Sequence, residues 1–153
     1  MDESLLAELD HYLDAHHDRL VAALEDLIRI PAVAAVGGEP IERMAAAAAA
    51  VCTDAGLTVR TVRTSGHPVV YAHGGPDDAP FTLMAYGHYD AFPVTDQPGW
   101  RTAPFEPVRD GDRIYGRGSG DNKGQFLAHL AAFEWWQRHN GGLPIKVKVI
   151  LEG

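Results

Sequence analysis

The chain has 153 residues, 46% hydrophobic and 22% charged, a composition that can bury the core of one ordinary domain and excludes an intrinsically disordered chain. Its formal net charge of -8 and the scatter of its 13 lysines and arginines offer no clustered basic surface for phosphates, so no nucleic-acid partner is expected. No apolar run reaches the roughly 20 residues of a membrane span, and the amino terminus MDESLLAELD is acidic, unlike a signal or transit peptide, so a cytoplasmic protein without a membrane partner is expected.

Leu5, Leu9, Tyr12, Leu13, Leu20, Leu24, Leu27 and Ile28 recur at helical spacing and predict a first helix from about Ser4 to Arg29, closed by Pro31. His16 and His17 are adjacent within it, point in different directions and read as solvated. An alanine-rich second helix is expected from Ile41 to Ala55, stopped by Gly56, with the single Cys52 as a small core residue. Leu57 to Arg63 alternates like a half-exposed strand, and Val69 to His73 is its expected neighbour across a turn at Gly66 to Pro68. Phe81 to Tyr86 has the length and apolar content of a buried strand. Ala91 to Tyr115 reads as mostly loop, punctuated by Pro93, Pro98, Gly99, Pro104, Pro107 and Gly111, with Trp100, Phe105 and Tyr115 to order it. Asn122 to His139 is helical by pattern, with Phe126, Leu127, Leu130, Ala131, Phe133, Glu134 and Trp135 on one broad face and Gly141-Gly142 at its end. Ile145 to Leu151 is a last strand running inward. The sequence then stops where a loop would leave a parallel strand, so the sheet is expected to be incomplete and its open edges to favour a homodimer or aggregation. The fold class is α/β, a mostly parallel or mixed sheet flanked by helices.

Two segments carry chemistry. The Phe81 strand ends in Gly87-His88-Tyr89-Asp90, and an imidazole and a carboxylate at i and i+2 leave a strand on the same side. That pattern suits a neutral histidine nitrogen on a divalent metal, with Asp90 orienting the ring and raising its basicity. The run Gly116 to Gly124 (GRGSGDNKG) fails as a phosphate-binding loop, because Lys123 follows Asn122 and precedes Gly124. It fits a dinucleotide fingerprint poorly, since Asp121 stands where a third glycine belongs and would repel a pyrophosphate. Two readings of Asp121 stay open on spacing alone. It caps the following helix, or it is delivered by the turn to face His88 and bridges a pair of ions about 3.5–4 Å apart. Arg117, inside the glycine-rich turn, could pair with a neighbouring carboxylate and hold the loop. His67, His73, His129 and His139 read as solvated or hydrogen-bonded rather than as ligands.

GHYDAFP, WRTAPFEP, IYGRGSGDNKG and VILEG, in this order, resemble the amino-terminal part of the co-catalytic zinc metallopeptidases of peptidase family M-twenty, which include aminoacylase, carnosine-type dipeptidases and succinyl-diaminopimelate desuccinylase. The resemblance covers roughly Ile28 to Gly153. It implies that His88 ligates one zinc, that Asp121 bridges both zincs, that Asp90 serves the catalytic site by steadying His88, and that the Asp121-Asn122 peptide is cis. The implied activity is hydrolysis of the amide bond of a small peptide or N-acyl amino acid through a zinc-bridging water, with GHYDAFP leaning towards dipeptidases. The family's general-base glutamate, its remaining ligands and its lid or dimerisation domain have no counterpart in residues 1–153, and Glu152 is not that base. With two first-shell ligands present, this polypeptide alone is expected to bind metal weakly and to be inactive. The competing expectation is a free-standing, non-catalytic remnant that acts as a binding or assembly module.

Overall fold

The structure, a computed structural model, describes residues 3–94 and 99–153. Its elements in chain order are α1 (Glu3–Ile28), α2 (Glu39–Asp54), β1 (Thr58–Val62), β2 (Val69–Gly74), β3 (Thr82–His88), β4 (Val108–Asp110), β5 (Arg113–Tyr115), a wide turn (Ser119–Lys123), α3 (Gly124–Asn140) and β6 (Lys146–Glu152). Met1 and Asp2 of the acidic amino terminus, and Pro98 of the expected loop, lie outside the described residues.

The main sheet has the order β1-β2-β6-β3 and is mixed. β1 pairs antiparallel with β2 and β2 antiparallel with β6, whereas β3 runs parallel to β6. β6 therefore occupies an interior place, as the inward-running apolar pattern of Ile145 to Leu151 leads one to expect. Alternation along β2 and β6 sends Val70, Ala72, Val147, Val149 and Leu151 to one face, where all are buried. Met44, Ala45, Ala48 and Cys52 from α2 and Phe126, Leu130 and Phe133 from α3 join the same core. Each fully buried branched aliphatic side chain contributes about 1.5–3 kcal/mol. The alanines of α2 cost little side-chain entropy and present a smooth surface to the sheet. Glu39 and Glu42 in the first turn of α2 complement its dipole, and Pro40 suits the start of a helix.

The opposite face of the sheet stays open to solvent, and this corrects the expectation of a buried strand at Phe81 to Tyr86. β3 takes a sheet edge, and only its Ala85 and Gly87 side turns towards the core. Phe81, Leu83, Met84 and Tyr86 remain 62, 47, 60 and 56% exposed. A short apolar run does not distinguish a central strand from an edge strand whose outer face is uncovered. A second difference lies in the expected loop from Ala91 to Tyr115, which contains the β4-β5 hairpin. Strands of three residues are too short to show a period. Trp100 and Phe105 are half-buried there, and Tyr115 is exposed. No helix among the described residues is long and apolar enough to cross a membrane.

Candidate metal centre

β3 carries its register to the last residue, His88, which stands opposite Glu152 at the carboxy-terminal edge of the two parallel strands. The strand direction then continues through two backbone bonds, Tyr89 N–H to Glu152 O at 2.7 Å and Ala91 N–H to Ala32 O at 2.7 Å. Tyr89 anchors this exit, fully buried with its hydroxyl donating to Pro68 O at 2.6 Å. Burial pushes the Tyr89 phenol up to about 12. His88 and Asp90 leave the strand on one side, and His88 Nδ1 lies 3.1 Å from Asp90 Oδ1.

The glycine-rich turn brings the third group. Gly118 adopts φ 87°, which reverses the chain, and Lys123 N–H closes the turn on Gly118 O at 3.0 Å. Inside it Asp121 departs from helical geometry, at φ -129° and ψ 94°, and the Asp121-Asn122 peptide is cis, as the resemblance implies. Asp121 Oδ1 faces His88 Nε2 at 2.9 Å. The two side chains, separated by 33 positions, thus converge. His88 is 33% exposed, Asp90 23% and Asp121 88%, so the pair opens to solvent on the Asp121 side.

This arrangement fits a divalent cation. When Nδ1–H donates to Asp90, the Nε2 lone pair points at a carboxylate oxygen 2.9 Å away, and two acceptors at that distance need a proton or a cation between them. The donor types, one imidazole nitrogen and one carboxylate oxygen, are those of zinc sites. The set is small: no group of three or more metal-ligating side chains occurs among the described residues.

Two residues that the sequence reading passed over hold the turn. Asn122 Oδ1 accepts the backbone N–H of His88 at 3.2 Å, and its amide nitrogen donates to Gln125 Oε1. Lys123 is fully buried and donates from Nζ to Leu27 O at 2.9 Å and to Ile30 O at 3.5 Å, satisfying carbonyls at the end of α1. Burial lowers its ammonium to about 8, against the opposing attraction of Asp90. Its signal was available: Lys123 precedes Phe126, Leu127 and Leu130 at helical spacing, on the face that the pattern assigned to the core.

The other expected residues fall as follows. Arg117 places its guanidinium 5.1 Å from the centre of the Trp100 ring, and its backbone N–H donates to Pro104 O at 2.6 Å. Glu152 accepts the Tyr86 hydroxyl and is exposed. His16 bonds to Tyr12 O at 2.8 Å, His67 to Ala34 O at 3.0 Å, and His139 lies 3.0 Å from Glu8 while stacking on Trp135. His17 and His129 are exposed, and His73 is tilted against Tyr71. Glu134, buried on α3, is held by Arg19 at 2.9 Å and Arg138 at 2.9 Å.

A mixed α/β sheet thus carries a histidine at the carboxy-terminal end of one strand, facing an aspartate in a glycine-rich turn. The model of Peptidase family M20/M25/M40 matches residues 84–153, the span that holds His88, Asp90 and Asp121. It is 30% identical over 167 residues to the Mus musculus Beta-Ala-His dipeptidase, taking in 97% of this chain and 33% of that protein. Human carnosine dipeptidase 1 superimposes with a TM-score of 0.84 at 30% identity, over 97% of this chain and 34% of that one. The M20 family metallo-carboxypeptidase Sso-CP2 from Sulfolobus solfataricus gives a TM-score of 0.79 at 36% identity, over 88% of this chain and 30% of that one. The chain spans about a third of the length of the curated relatives it matches.

Proposed function

We propose that this chain carries part of a divalent-metal centre for hydrolysing the amide bond of a small peptide, with zinc as the metal and a dipeptide as the substrate class. The observation that carries the reading is the approach of His88 Nε2 to Asp121 Oδ1 at 2.9 Å with the other ring nitrogen already engaged by Asp90. The dipeptide class is supported by the likeness to the Beta-Ala-His dipeptidases. His88 and Asp121 would hold the metal, and the exposed second oxygen of Asp121 leaves room for a second ion. A bound zinc supplies Lewis acidity to water and to an amide carbonyl. Asp90 keeps the imidazole in the tautomer whose Nε2 is free to ligate and stops the ring from turning. Two donors fall short of the four of a closed zinc site and of the three usual at a catalytic one, so residues outside these 153 would complete the centre.

A zinc titration of the purified chain tests the reading, with a parallel assay of β-Ala-His hydrolysis. The expected result is zinc binding weaker than about micromolar, no hydrolysis, and loss of binding in both His88→Ala and Asp121→Ala. Zinc binding unaffected by either substitution overturns the assignment of the pair. Hydrolysis by the chain alone overturns the statement that the centre is partial.

A further inference from the structure

One side chain joins the two segments that bear the proposed ligands, and the metal reading makes no use of it. Asn122 follows Asp121 directly, yet its amide oxygen reaches back to β3 and accepts the backbone N–H of His88 at 3.2 Å. Its amide nitrogen donates to Gln125 Oε1 in the first turn of α3, so both ends of the amide are engaged. The orientation of the amide is unambiguous, because a backbone N–H can only donate. Gly87 provides the space: a β-carbon there would stand 2.5 Å from Asn122 Oδ1.

The remaining ties of the turn lie elsewhere. Lys123 N–H closes on Gly118 O, and Lys123 Nζ reaches the carbonyls of Leu27 and Ile30 at the end of α1. Those bonds close the turn on itself and fix it to α1, so its position relative to β3 is left to Asn122, to packing and to the His88–Asp121 approach itself. Because Asn122 binds the backbone of His88 itself, the bond joins the main chain beneath one proposed ligand to the main chain beside the other.

We infer that Asn122 is a positioning residue, whose amide clamp on the His88 backbone sets the separation of His88 Nε2 from Asp121 Oδ1. The clamp stands on geometry alone. Its consequence for metal affinity rests on the proposed function above.

The test compares crystal structures and zinc titrations of the unaltered chain with those of Asn122→Ala, Asn122→Asp and Gly87→Ala. In Asn122→Ala the Nε2 to Oδ1 separation is expected to open beyond the hydrogen-bonding limit of about 3.5 Å, with zinc affinity at the pair lower by roughly tenfold or more. Asn122→Asp keeps an oxygen for the His88 amide and is expected to hold the separation. Gly87→Ala pushes the side chain of residue 122 away and should reproduce the opening. Combined with Asn122→Ala, it should add nothing further to the separation. An unchanged separation in folded Asn122→Ala overturns the inference, as does an opening in Asn122→Asp equal to that in Asn122→Ala. An opened pair in a chain whose zinc binding ignores His88 and Asp121 sustains the clamp and sinks the metal reading instead.

Discussion

At the scale of single residues, the chain separates groups poised for chemistry from groups that only pack. Cys52 is 0% exposed, and burial raises its thiol from the usual 9.0 to about 12, so it is inert where a nucleophile or thiolate ligand would be activated. Tyr89 behaves alike, raised from 10.0 to about 12 chiefly by burial. For both acids the folded value exceeds the unfolded one. The unfolded chain therefore loses its protons first as pH rises, and folding stability falls with it. The contribution of Cys52 is complete below pH 9.0 and that of Tyr89 below pH 10.0, and both are lost on the approach to about 12. Lys123, whose ammonium burial lowers to about 8, acts in the opposite sense up to its usual 10.5, so the decline in urea midpoints should be read above pH 10.5, where only the Cys52 and Tyr89 losses continue. Iodoacetamide at pH 8 should label Cys52 only once the chain is unfolded, and rapid labelling of the native chain contradicts the burial argument.

At the scale of elements, β3 has two sides with different tasks. Its Ala85 and Gly87 side meets α3, and Gly87 in particular gives way to the Asn122 amide, so small residues occur where the turn must come close. Its other side presents Met84 and Tyr86 to solvent, on an edge without lysine, proline or bulge. Edges of this kind pair with other strands. Sedimentation of the chain should show an average mass that rises with concentration, and Met84→Lys, which places a charge on the open face, should shift the rise to higher concentration. A monomer throughout, or an unaltered rise in the variant, removes β3 as the associating edge.

At the scale of the whole molecule, what was legible in the sequence and what was not have separate physical origins. Helices with long apolar periods were readable to within a few residues, because a stripe of leucines or alanines can be buried in only one way. The strand containing Val147 and Val149 announced its interior place through continuous apolarity. The edge position of β3 was illegible, since burial there depends on whether anything covers the far face, and the residues themselves are as apolar as those of a core strand. The β4-β5 hairpin was illegible for want of length. His88, Asp90 and Asp121 could be singled out by residue type and spacing, and the structure brings His88 to 3.1 Å from Asp90 and 2.9 Å from Asp121, while their role as ligands belongs to the proposal. The burial of Lys123 could be read from its spacing with Phe126, Leu127 and Leu130, but its bond to the Leu27 carbonyl and that of Asn122 to the His88 amide could not, since main-chain partners leave no trace in side-chain patterns.

The most direct measurement is anomalous diffraction at the zinc edge from crystals of the chain soaked in millimolar zinc, a concentration that fills even a weak site. The account predicts a peak between His88 and Asp121, at about 2.0–2.2 Å from Nε2 and from a carboxylate oxygen, with Asp90 still bonded to Nδ1. Zinc bound only elsewhere on the molecule, with the His88 and Asp121 side chains still in direct contact, would contradict it.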